Sequence, residues 1–159
     1  MVAGAGVPNL KLYFMIGLPG ESDEDVEGIG DLLRRLRQQE PTLELSASVA
    51  CFVPKGHTAF QREAMADDGV LRVRANLLRR LCGRFGVSLE VGSVRLARAQ
   101  AVLARGGLEL APLVPAVARD DGPEAALQAA IEQEGYDPTD YGRFGSPDPG
   151  WRVVDVGCG

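Results

Sequence analysis

At 159 residues, with 45% hydrophobic and 25% charged side chains, the chain can bury a core and fits one domain or a domain with an appendage. A net charge of −5 argues against gripping nucleic-acid phosphates, no run approaches the roughly 18 apolar residues of a membrane span, and MVAGAGVPN lacks signal-peptide features, so a cytoplasmic location is expected. Cys51, Cys82 and Cys158 lie too far apart for a disulfide framework or a close-spaced metal or cluster motif, and the single histidine, His57, removes most zinc and histidine-triad designs.

The first element is carried by KLYFMIGLPGESDE, Lys11 to Glu24: an apolar strand, a Gly-Pro-Gly turn and an acidic helix start. The run from Leu12 to Ile16 is nearly continuous in hydrophobicity, which predicts a strand covered on both faces. Gly17 and Gly20 permit unusual φ, Pro19 stiffens the turn, and Ser22 suits an N-cap before Asp23, Glu24 and Asp25. In α/β proteins ligands bind outside the carboxyl ends of parallel strands, which makes this turn the first place to look for a site.

A helix is predicted over Asp23 to Gln39 from Val26, Ile29, Leu32, Leu33 and Leu36, with Pro41 ending it. Leu43 to Val53 alternates as a second strand, parallel to the first, and FVPKGHTAFQ, Phe52 to Gln61, follows as an irregular loop. Asp67 to Gly83 repeats the helical pattern, Val87 to Val91 fits a third short strand, and Ser93 to Ala104 looks helical. Pro123 to Glu134 reads as a short helix, and Tyr136 to Gly159 as a surface-wrapping tail anchored by Tyr141, Phe144 and Trp151.

Three blocks carry a resemblance. FMIGLPGESDEDVEGI resembles the late-barrel strand and turn of radical S-adenosylmethionine enzymes. SASVACFVPKGHTAFQREAM is similar to the next strand and loop of a subgroup reading approximately FVPKPHTPFQW, with Gly56 and Ala59 for prolines and Arg62 for tryptophan. LARGGLELAPLVPAVARDDG is similar to the RGDRRL-type helix beyond the barrel, and the closing WRVVDVG matches more loosely. The resemblance implies an α/β fold that is a partial (β/α) barrel, the last strand-helix units of the family barrel over residues 1–91. A mainly helical extension and wrapping tail would follow over 92–159.

The family holds a four-iron four-sulfur cluster through a CxxxCxxC loop, which this chain lacks. The expectation is therefore a carboxyl-terminal portion of such an enzyme, inactive alone, with S-adenosylmethionine and the cluster bound only in the full-length protein. The resemblance places Ile16 and Gly17 beside adenine, Glu21 at the turn or near the cofactor, and Phe52, Val53 and Pro54 over the other side of the ring. Lys55, His57 and Thr58 fall at the rim facing substrate or a neighbouring domain. No catalytic residue and no metal ligand is assigned to the chain itself.

Plainer readings stand beside these. Phe14, Met15 and Ile16 suit ordinary sheet core, Cys51 a small buried hydrophobe, and His57 a structural loop residue. Arg34, Arg35, Arg37, Arg72, Arg74, Arg79, Arg80 and Arg84 read as solvated helix faces. A partial barrel leaves the opening strand with an unpaired edge, so self-association is expected. The natural partner is a missing amino-terminal barrel half, on the same polypeptide or a separate subunit. A noncatalytic subunit completing a split barrel and a free-standing α/β ligand-binding module remain as alternatives.

Overall fold

The computed structural model describes residues 7–105 and Ala111. The described residues fall into two compact units, one joining 7–52 with Ala66–Val94, the other joining Val53–Met65 with 95–105. In the first unit the order is β1 (Asn9–Ile16), α1 (Asp23–Gln39), β2 (Glu44–Cys51), α2 (Asp68–Phe85) and β3 (Ser88–Val91). These strands form a three-stranded sheet in the order β1-β2-β3, parallel throughout, with Asn9 opposite Glu44 and Ser46 opposite Ser88. The α/β class follows directly. The described residues make an open sheet rather than a closed barrel.

Helix α1 occupies the predicted span because both ends are specified locally. Ser22 is the N-cap, its hydroxyl accepting from Asp25 N at 3.2 Å while the Asp25 carboxylate accepts from Ser22 N at 2.8 Å. Helix α2 starts at the Asp67 cap and ends at Gly86, which takes φ +63, and so runs past the expected Gly83. Val26 and Leu33 of α1, and Leu71, Ala75, Leu78 and Cys82 of α2, are buried. Leu33 and Cys82 share a core cluster with Leu45, Ala47 and Val87, flanked by Leu10, Leu12, Phe14 and Leu89 of the strands. The helices close on each other at Gly30, where an added Cβ would lie 2.5 Å from Leu81 Cδ1.

One sequence expectation is corrected here. β1 is not covered on both faces: its exposure alternates, with Leu10, Leu12, Phe14 and Ile16 toward the core and Lys11, Tyr13 and Met15 outward. Tyr13 is 75% exposed and Met15 43%. The apolar run was a poor guide because Tyr13 and Met15 contribute hydrophobicity without being enclosed. The outward face continues across Ser46 and Ser48 of β2 to Glu90 of β3. The short serines let Lys11 Nζ reach Glu90 Oε2 at 3.1 Å over the central strand, and that hydrogen bond is the main cause raising the Lys11 pKa above its ordinary value.

In the second unit, 53–65 is an irregular segment of turns, and all of α3 (Val94–Arg105) but its first residue belongs to it, with Ala97, Ala99, Ala101 and Val102 buried. No described helix is long and apolar enough to cross a membrane. The predicted helix over Pro123 to Glu134, the tail from Tyr136, the RGDRRL-like block beyond Arg105 and Cys158 lie outside the described residues.

The capping box gives a pH prediction. The Ser22 N–H, and secondly its hydroxyl, hold the Asp25 carboxyl below the ordinary carboxylate range. A depressed folded-state pKa contributes stability above the unfolded value and loses it as pH falls through the folded one. Urea unfolding of Asp25→Asn against wild type should therefore show a difference that is full near neutral pH and shrinks as the solution is acidified.

Candidate site at the carboxyl ends of β1 and β2

The turn after β1 is set by its own residues. Glu21 N donates to Leu18 O at 3.0 Å, closing a four-residue β-turn with Pro19 second and Gly20 third at φ +78, the arrangement of a type II turn. Gly17 ends the strand at φ +84. There the lack of a side chain is required twice: the backbone is left-handed, and an added Cβ would sit 2.6 Å from Leu71 Cδ2 and 3.3 Å from Ala66 Cβ. The space a side chain would need is thus taken by α2 and the residue leading toward it. The strand ends are tied by Phe52 N donating to Ile16 O at 2.8 Å.

Glu21 holds this turn. Its Oε2 accepts from Gly17 N at 2.7 Å and from Arg74 Nη1 at 2.6 Å, with the Arg74 and Glu21 side chains only 10% and 7% exposed. Arg74 also donates through Nη2 to Glu21 O at 2.8 Å and through Nε to Asp23 Oδ1 at 3.1 Å. The Arg74 guanidinium on α2 and the Gly17 N–H just past β1 therefore converge on one carboxylate, and charge-assisted bonds of this length in a shielded place are stiff.

Arg74 was expected on a solvated face and is corrected to a buried one. The signal was present: 71, 74, 75, 78 and 82 are the inward positions of α2, and an arginine among them needs a partner. Arg37 is corrected in part, from a solvated to a half-buried side chain. It donates to the carbonyl oxygens of Phe85 at 3.2 Å, Gly86 at 3.0 Å, Pro41 at 3.2 Å and Leu43 at 2.7 Å, satisfying the end of α2 and the turn before β2.

The other residues singled out from the sequence are placed as follows. Ile16 is fully buried on the core-facing side of β1, so at this strand end Met15 carries the outward side chain. Phe52 and Pro54 are buried and Val53 is half-buried. Lys55, His57 and Thr58 are exposed. Thr58 Oγ1 donates to Lys55 O at 2.8 Å, and His57, at φ +61, donates its N–H to Gln61 Oε1 at 3.1 Å. Cys51 and Cys82 are buried thiols, with burial pushing the Cys82 pKa up. Among the described residues no group of three or more His, Cys, Asp or Glu side chains is placed to hold a metal ion.

Comparison with known proteins adds one relative. An uncharacterized protein of Methanocaldococcus jannaschii, MJ0966, is 31% identical over 101 residues, a stretch covering 64% of this chain and 22% of that protein. The chain thus spans about a fifth of the length of the curated relative it matches. No family profile matches the chain. No solved structure matches it either.

Breaking the buried pair from one side strands a charge. Arg74→Met should cost about 3–5 kcal/mol in denaturant unfolding, and adding Glu21→Gln should recover part of that loss. Additive losses in the double variant would contradict the coupling.

Proposed function

We propose that the chain is the carboxyl-terminal part of a radical S-adenosylmethionine enzyme, contributing the adenine-side wall of the cofactor site and part of the substrate rim. The observation that carries this reading is positional. The IGLPGE turn and the FVPKGHTAF segment leave the carboxyl ends of two neighbouring parallel strands, the place where α/β folds gather ligands. A relative several times longer than the aligned stretch is consistent with a larger whole. In this reading β1, β2 and β3 are the last strands of a barrel whose earlier strands would extend the sheet beyond β1.

The described residues do not fit an iron-sulfur cluster: Cys51 and Cys82 are buried, and no triad of thiolates is placed. The cluster belongs, in this reading, to the part of the protein before β1. The adenosyl group fits the turn in a narrower way than the motif suggests. Because Leu71 fills the space beside Gly17 and Ile16 points into the core, the wall that the first unit offers is the Ile16–Gly17 backbone. When bound, the cofactor and cluster supply radical chemistry; this chain's own share is to hold a preset surface, fixed by Glu21 and Arg74.

Anaerobic reconstitution with iron, sulfide and S-adenosylmethionine tests the division of labour. The chain alone should retain no cluster and cleave no cofactor, while reading frame upstream of Met1 should encode a CxxxCxxC loop. A cluster on this chain, or an upstream stop codon with no such gene nearby, would count against the proposal.

A second reading, a noncatalytic subunit that completes a split barrel, draws on the exposed Tyr13 and Met15 and on β1 having β2 as its one strand neighbour among the described residues. An eight-residue edge strand without proline is a template for another strand. Light scattering at micromolar concentration should show association, or an iron-sulfur polypeptide should co-purify. A clean monomer without a partner would favour a self-sufficient binding module instead.

A further inference from the structure

We infer that the Gly17 N–H and the Arg74 guanidinium together form a small carboxylate site that Glu21 fills from within the chain, with Arg74 as the positioning residue of the turn. This goes beyond the family reading and concerns the chain on its own. Both donors point at the same oxygen, Glu21 Oε2, at 2.7 Å and 2.6 Å. Each donor also has contacts other than that carboxylate. Arg74 is anchored separately by Glu21 O and Asp23 Oδ1, and Gly17 is held by its φ of +84 with Leu71 and Ala66 packed beside it.

A fixed guanidinium beside a backbone N–H, both shielded from water, is a donor set that recognises carboxylates and phosphates. In this turn the anion is supplied by the chain itself, at the high effective concentration of a residue four positions away. The turn is therefore a self-occupied anion site. That explains why a glycine-containing turn at a helix start need not take a free phosphate: its inward N–H already has a carboxylate, and Asp23, Glu24 and Asp25 add negative charge in the first turn of α1.

Shortening Glu21 should empty the site and let a small carboxylate from solution replace it. In the full chain, Glu21→Ala should lower the melting temperature by about 10–20 °C. Rising sodium formate should then restore stability saturably, as ligand binding to the folded state requires. Sodium chloride of equal ionic strength should not. Wild type, with the site filled, and Glu21→Ala/Arg74→Met, with one donor gone, should both be indifferent to formate. Equal rescue by chloride, or rescue that survives loss of Arg74, would overturn the inference.

Should Glu21→Ala be too unstable to measure, the Gly17 amide proton resonance provides the second readout. It should lie downfield in wild type, move upfield in Arg74→Met as Glu21 is released, and be largely retained in Arg74→Lys. An unchanged resonance in Arg74→Met would overturn the positioning role.

Discussion

A single arginine ties the strand-turn-helix unit to helix α2. Arg74 enters the inward stripe of α2 between Leu71 and Leu78, where an aliphatic side chain would ordinarily pack. Its charge is tolerable because three of its nitrogens meet oxygen: the Glu21 carboxylate, the Glu21 carbonyl and Asp23. Glu21 in turn takes the N–H of Gly17, the residue at which β1 ends. The end of β1, the start of α1 and the middle of α2 are thereby tied at one point. Leu71 seals it by occupying the space that Gly17 leaves open.

Around that point the packing is one-sided. The two helices cover the face of the sheet that carries Leu10, Leu12, Phe14, Leu45, Ala47 and Leu89, while the opposite face carries Lys11, Tyr13, Met15, Ser46, Ser48 and Glu90. Small residues on the central strand keep that face shallow, so the Lys11 to Glu90 ion pair spans it; the Lys11 ammonium also stands 5.4 Å from the Tyr13 ring centroid. An exposed pair of this kind adds little stability. Its interest is architectural, since it links the two outer strands across the short serines of the central one.

The elements were readable because each has a local cause. Ser22 with Asp25 and the periodic Val26, Ile29 and Leu33 define α1, and Leu-Pro-Gly-Glu at 18–21 defines a turn whose glycine must take positive φ. Alternation over Leu45, Ala47, Val49 and Cys51 defines β2 and the face it buries. The candidate site was readable only in outline. The turn and the segment after β2 stood out as sequence, yet Gly17 proved to make room for Leu71, Ile16 proved to point into the core, and the residue that organises the turn, Arg74, had been grouped with solvated arginines.

By itself, then, the sequence determined the α/β alternation, the position of the turn and the ends of the first two strands, because these rest on residues near one another along the chain. Tertiary structure alone decided which face of β1 stays exposed and what Arg37 and Arg74 do. Their partners are remote in sequence: Glu21 lies 53 positions from Arg74, and Phe85 lies 48 from Arg37. Helical periodicity can show that an arginine points inward. Only the packed chain shows which carboxylate or carbonyl waits there to make that burial favourable.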